Sequence, residues 1–324
     1  MKKCGKCQKS GEFLSCSRCG LEHYCSQNCQ KEHWKEHKTS CRPVLQVQIE
    51  NKGYGLVATR NIKEGELILS EMPVLILSKN EKDRTSRNLE IQFQKLSKNV
   101  QKKILSLHDE NREGEEERKL ARIFFSNAID VNSEKSAALY LTIPRINHSC
   151  SPNVVWGYGP NSPLSKEVRA LKEIKKGSEL EANYIDSWEA SFRDHSRRQD
   201  LLQRWSFTCS CKICSLPNQL LEEDDKYRKM IMIQHSLVPK YMERWNVRKA
   251  LEAAKTKLNL SLQIKDDILT SLPSTYLEVY EMIRIAEVLG EKVEPGSPYL
   301  EKARKLSTRF GFSFLQSFNS KGYI

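Results

Sequence analysis

The sequence predicts an α+β fold of short sheets with a helical insertion, a helical C-terminal domain and two metal-stabilised segments. Three observations carry this. Apolar residues alternate with period two in short runs broken by Gly-tipped turns across 43–78 and 136–190. They recur at helical spacing across 79–135 and 217–324. The cysteines fall at metal-ligand spacing, in pairs at 1–42 and as a group of three at 191–216.

The chain is long enough, and at 39% hydrophobic residues apolar enough, to build a real core. The N-terminal Met-Lys-Lys-Cys-Gly-Lys-Cys has no apolar region, and no run approaches the ~18 apolar residues of a membrane span. A soluble intracellular protein, cytoplasmic and/or nuclear, is expected. Its eleven cysteines then read as thiolate metal ligands in a reducing compartment. Eleven thiolates around three Zn2+ would lower the formal +12 to about +7. A basic surface remains, but no aromatic strip interleaves with it, so nucleic-acid binding is expected to be weak or absent.

In residues 1–42, Cys4-x2-Cys7, Cys16-x2-Cys19, Cys25-x3-Cys29 and His37-x3-Cys41 supply eight ligands, enough for two closed tetrahedral zinc sites. Closed sites are structural, and so short a segment needs metal to fold. Alternation of the pairs favours Cys4/Cys7/Cys25/Cys29 and Cys16/Cys19/His37/Cys41, while spacing leaves consecutive pairing open. His23 and His33 compete with His37, whose distance from Cys41 suits ligation best.

Beyond it, Leu45-Gln-Val-Gln-Ile49 alternates as a strand, and Gly53-Tyr-Gly55 turns the chain into Leu56-Val-Ala58. Ile62-Lys-Glu-Gly and its echo Ile174-Lys-Lys-Gly predict two similar Gly-tipped turns. Leu89, Phe93, Leu96, Val100 and Ile104 give a helix face in the insertion, and Asn127 follows the apolar Ile123-Phe-Phe125. Arg145-Ile-Asn-His-Ser-Cys-Ser-Pro-Asn153 packs two amides, an imidazole and a thiol between apolar flanks, which marks a site. Cys209-x-Cys211-x2-Cys214 lacks one ligand for a tetrahedron, and Cys150 is the cysteine left to complete it. Eleven cysteines and His37 thus make twelve ligands for three zincs.

Residues 1–42, with Tyr24-Cys25 and the run from Cys29 to Cys41, resemble a MYND zinc finger. Gly53-Tyr-Gly55, Asn147-His-Ser-Cys150, Glu179-Leu180 with Tyr184, and Cys209-x-Cys211-x2-Cys214 look like the signatures of a SET domain with its post-SET zinc site. Together they resemble the SET and MYND domain family of lysine methyltransferases over about residues 1–215. The finger precedes an uninterrupted SET core, as in the arthropod-type branch. The implied organisation is finger 1–42, SET 43–78 and 136–190 around a helical insertion 79–135, post-SET region 191–216 and helical domain 217–324.

The resemblance implies methyl transfer from S-adenosylmethionine to a lysine of a histone or non-histone protein. Tyr184 matches the active-site tyrosine. Lys52, Gly53, Tyr54, Gly55, Asn147 and His148 would hold the cofactor, Phe207 would stack on its adenine with Trp205 beside it, and Asn127 would add a contact. Pro144 stands where relatives carry a small hydroxyl residue. The finger would bind proline-containing peptides, and the chain would act as a monomer. Relatives often end in a larger helical-repeat domain, so this shorter tail implies an open cleft. The competing expectation is a catalytically idle scaffold or corepressor recruiting a proline-bearing partner.

Overall fold

The computed structural model describes residues 2–17, 22–38, 41, 43–78, 86–109, 118–131, 136–159, 162–185, 192–264 and 270–310, without the side chain of Pro163. It divides into two compact units, one of residues 1–147 and 156–180, the other of 148–155 and 181–324. The boundary cuts the Arg145–Asn153 motif after Asn147. No helix among the described residues is long and apolar enough to cross a membrane.

The first unit opens with two small hairpins, β1 (Lys2–Lys3) with β2 (Ser10–Gly11) and β3 (Leu14–Ser15) with β4 (His23–Tyr24), followed by α1 (Gln27–His37). Ser26 caps α1 by accepting from Cys29 N at 3.2 Å. Among the described residues the apolar core here is Cys4, Cys16, Tyr24 and Cys41 with Phe13, Cys29 and Trp34 around it. Burying a large side chain contributes about 1.5–3 kcal/mol, whereas ordering each residue costs about 1–2 kcal/mol. So small a core cannot hold some forty residues. Metal binding at the Cys/His sets would supply folding free energy that this core lacks.

The hairpin of β5 (Val44–Ile49) and β6 (Gly53–Ala58) follows, register Ile49 opposite Gly53. Its turn needs left-handed backbone at Asn51 and Gly53, with φ of 60° and 76°. β7 (Leu67–Glu71) pairs with β13 (Ser162–Ala170), which in turn pairs with β12 (Val154–Gly159). β8 (Leu75–Ser78), β10 (Ser136–Leu139) and β9 (Ile129–Val131) form a second sheet in the order β8-β10-β9. Against it pack α2 (Ser86–Gln94), α3 (Lys98–Leu105) and α4 (Lys119–Asn127), through Leu75, Leu77, Leu89, Ile104, Ile123, Phe124 and Leu139. The side chain of Gln92 imitates a strand at the edge of β8, accepting from Ile76 N and donating to Ile76 O.

Two features refine the sequence reading. The segment read as a helical insertion up to 135 leaves the helix after Asn127 and forms β9, where Ala128 is already extended and Ile129 and Val131 alternate. The two echoing turns meet: Ile62 and Ile174 exchange both backbone hydrogen bonds, and Gly65 and Gly177 take φ of 77° and 85°. The echo is therefore a facing pair of turns that closes the first unit on itself.

The second unit holds His148 of β11 (Asn147–His148), its partner strand β14 (Glu181–Ala182), α5 (His195–Leu202), and four C-terminal helices: α6 (Asn218–Glu243), α7 (Val247–Gln263), α8 (Leu272–Val288) and α9 (Ser297–Arg309). Val238, Ala250, Leu251, Ala254, Leu258, Val279, Met282 and Ile283 make their shared core. Within it Lys257 and Glu278, 1% and 2% exposed, pair at 2.7 Å, with His235 Nδ1 at 3.4 Å from Lys257 Nζ. Replacing one partner alone strands a buried charge. Lys257→Met should therefore lower stability by about 3–5 kcal/mol in chemical denaturation, and Lys257→Met with Glu278→Leu should recover most of that loss.

Candidate functional site

Three sets of ligand atoms converge, each within 4.8 Å: Cys4, Cys7, Cys25 and Cys29; Cys16, His37 and Cys41; and Cys150, Cys209, Cys211 and Cys214. Cys19, expected with the second set, lies outside the described residues. Sulfur separations of 3.6 Å for Cys7–Cys25, 3.7 Å for Cys16–Cys41 and 3.6 Å for Cys150–Cys214 suit a tetrahedron. With Zn–S near 2.3 Å its edge is about 3.8 Å. The donor sets thus fit zinc, in the interleaved pairing.

Crowding splits the thiols within each set, and in the first the Cys29 side chain pushes Cys25 up to about 12. Hydrogen bonding from the Cys7 backbone N–H draws Cys4 down to about 6. In the Cys150 set the Cys150 thiol is pushed up by its bond to Cys209, and the Cys214 thiol is raised as well. Cys209 falls far below its ordinary value, and Cys211 falls to about 5, through their bonds with Cys150. Gln199 on α5 fixes Cys209 by accepting from its N–H at 2.8 Å and donating to its carbonyl at 2.9 Å.

His148 ties this cluster to Tyr184. The backbone N–H of Tyr184 donates to His148 Nδ1 at 3.0 Å, so the ring proton of a neutral imidazole sits on Nε2, which lies 3.5 Å from Cys150 Sγ. An N–H aimed at a ligating thiolate while the other ring nitrogen is fixed is an outer-shell metal contact. Both ring nitrogens are thus engaged inside the protein. Ser149 N donates to Ala182 O and Asn153 N to Glu181 O, pinning the motif to the strand that leads to Tyr184. Around Tyr184 stand Trp205, His148 and Phe207, with ring centroids at 5.2, 5.4 and 6.4 Å. Arg204 covers Trp205 at 4.2 Å.

Sequence spacing did not indicate Arg198, which is 1% exposed. Burial opposes its charge, and Cys150, Asp224 and Cys214 facing it restore and raise it above its ordinary value. It reaches Asp224 at 3.6 Å and Asp225 at 3.8 Å, and Arg228 binds Asp224 at 2.7 Å. A chain of alternating charge therefore runs from the thiolates through α5 to α6.

The first unit carries the other predicted residues. Lys52 Nζ meets Glu179 Oε2 at 2.9 Å, and Asn147 Nδ2 donates to Glu179 Oε1 at 2.7 Å and to Tyr54 O at 3.4 Å. A Cβ on Gly55 would lie 2.9 Å from both Asn147 Nδ2 and Glu179 Oε1, so only glycine lets these groups meet. Gly53 supplies the turn described above. Arg145, unassigned from the sequence, is buried; it donates to Ser106 O and Oγ at 2.7 Å and lies 5.4 Å from the Tyr54 ring. Glu71 accepts from Leu141, Thr142 and Ile143 N, holding the chain that enters the motif. Asn127 is buried, and its Nδ2 is spent on His108 O and Ile123 O, leaving Oδ1 for any further contact.

These features are those of a SET domain beside ligand sets that fit zinc. The SET domain model matches residues 53–185 and the MYND finger model residues 2–41. The chain is 29% identical to the N-lysine methyltransferase SMYD2 of Gallus gallus, over 70% of this chain and 52% of that one. It is 28% identical to the histone-lysine N-methyltransferase set5 of Schizosaccharomyces pombe, over 66% and 64%. It is 26% identical to the histone-lysine N-methyltransferase ASHR1 of Arabidopsis thaliana, over 66% and 46%. The two matches place a MYND finger ahead of a SET domain in this chain. It spans about half the length of most of the curated relatives it matches.

Chelation should separate the two modes of stabilisation. Removing metal is expected to abolish hydrogen-exchange protection in 2–38 and in the Cys150 and Cys209–Cys214 segments, while α7 and α8 stay protected. Retained protection in α1 after metal removal would contradict a metal-dependent finger.

Proposed function

We propose that the chain is an S-adenosylmethionine-dependent protein-lysine N-methyltransferase acting on a histone or non-histone protein. The observation that carries it is Tyr184, held through its backbone by His148, which in turn faces Cys150 Sγ, inside a cluster of aromatic rings. A tyrosine fixed from behind in this way presents its hydroxyl with little freedom to lose, as a positioning group requires.

S-adenosylmethionine supplies an electrophilic methyl group on a sulfonium sulfur. The chain's task is to deliver a neutral amine in line with it. A free lysine, with pKa near 10.4, is protonated at neutral pH. Rings such as Trp205, Phe207 and Tyr184 exclude water and favour the neutral amine by desolvation. The Tyr184 hydroxyl accepts one amine N–H and so directs the lone pair.

For the methyl donor, the Gly53 and Gly55 backbone gives close approach, with Lys52 meeting a carboxylate and Asn147 an ammonium group. Tyr54 and the main chain of His148 line the same ligand, Phe207 stacks on adenine beside Trp205, and Asn127 offers Oδ1. Three Zn2+ per chain are assigned to the twelve ligands Cys4, Cys7, Cys25, Cys29, Cys16, Cys19, His37, Cys41, Cys150, Cys209, Cys211 and Cys214. The closed thiolate sites suit a reducing compartment, cytoplasmic or nuclear. The finger is assigned to proline-containing peptides.

Metal analysis should find about three zincs per chain, two removing Cys150 from the ligand set. Calorimetry should detect S-adenosylmethionine binding, and its absence would favour an idle scaffold. Tyr184→Phe should lower turnover about a hundredfold or more while the affinity for S-adenosylmethionine stays within about twofold. Unchanged turnover would remove Tyr184 from its role.

A further inference from the structure

Glu179 holds both a cation and an amide of the proposed methyl-donor site. Its Oε2 takes Lys52 Nζ at 2.9 Å and its Oε1 takes Asn147 Nδ2 at 2.7 Å, and its side chain is 16% exposed. Its backbone is fixed as well, through the bridge to Val57 and the bond of Leu180 N to Leu56 O.

The consequence lies in the Asn147 amide. Nδ2 carries two protons, one to Glu179 Oε1 and one to Tyr54 O. Reversing the amide would set its oxygen against a carboxylate and a carbonyl, so the network fixes one orientation. Oδ1, used by neither bond, becomes the group presented to a ligand. It is an acceptor only, suited to an ammonium, which has donors only. Gly55 makes room for the arrangement, since a Cβ there would press on both partners at 2.9 Å.

Resting on the methyl-donor reading above, we propose that Glu179 is a positioning residue that orients Asn147 to recognise the α-ammonium group of the donor's amino-acid end and holds Lys52 beside it. Glu179 does not touch the donor. It acts by removing the alternative amide orientation before binding, which lowers the ordering cost of recognition.

The test is a ratio of affinities, measured by calorimetry on the full zinc-loaded chain. The three ligands are S-adenosylmethionine, its analogue lacking the α-amino group, and methylthioadenosine, which lacks the amino-acid end. The parent chain should prefer S-adenosylmethionine to the deaminated analogue by about tenfold or more, the worth of a hydrogen bond to a charged group. Glu179→Leu should bring that preference to within about twofold. Glu179→Gln, whose amide oxygen still accepts from Asn147, should keep most of it.

Methylthioadenosine should bind all three chains alike, a readout that a general loss of structure would move. If Glu179→Leu loses it, Glu179→Ala is read in the same way. A preference unchanged in a variant that still binds methylthioadenosine overturns the proposal, as does equal loss in the Leu and Gln variants. A parent chain that binds none of the ligands overturns the methyl-donor reading itself, and with it the role of Glu179.

Discussion

Cys150 lies two residues after His148, and much of the proposed chemistry depends on that spacing. The convergence of Cys150 with Cys209, Cys211 and Cys214 fixes a sulfur to which the His148 Nε2–H points, and His148 Nδ1 then receives Tyr184 N. Metal affinity is thereby converted into the position of a tyrosine. The same cluster draws in Arg198, and through Asp224 and Arg228 its charge is compensated within α6. A thiolate quartet around Zn2+ keeps a net negative charge, so a buried guanidinium beside it offsets a desolvation cost that neither group would bear alone.

The two ends of the chain solve the stability problem differently. The finger has a core of a few side chains and relies on metal. The helices from α6 to α9 bury a continuous apolar core and admit a charged pair, Lys257 and Glu278, inside it. Loss of zinc and loss of that pair are therefore separate ways to damage the protein.

Much of this was legible in the sequence because it is local. Ligand pairs two to four residues apart, the Gly53-Tyr-Gly55 turn and the period-two runs are set by neighbours along the chain. What escaped depends on side chains brought together from afar. Glu179 meets Lys52 across 127 residues, and Arg145 meets Ser106 across 39. Glu179 was visible only as a marker in a motif. Its function lies in which amide it holds. The His148 ring meets Cys150 Sγ and the Tyr184 backbone, partners that its place in the motif does not reveal. β9 was missed because helical spacing runs up to Asn127 and the switch to period two has only Ile129 and Val131 to announce it.

The link between metal and tyrosine has a direct observable. Nitrogen NMR of the His148 ring in the zinc-loaded chain reads which nitrogen bears the proton. The geometry predicts a single neutral tautomer protonated at Nε2, with Nδ1 accepting from Tyr184. A ring protonated at Nδ1 would break the Tyr184 bond and contradict the account.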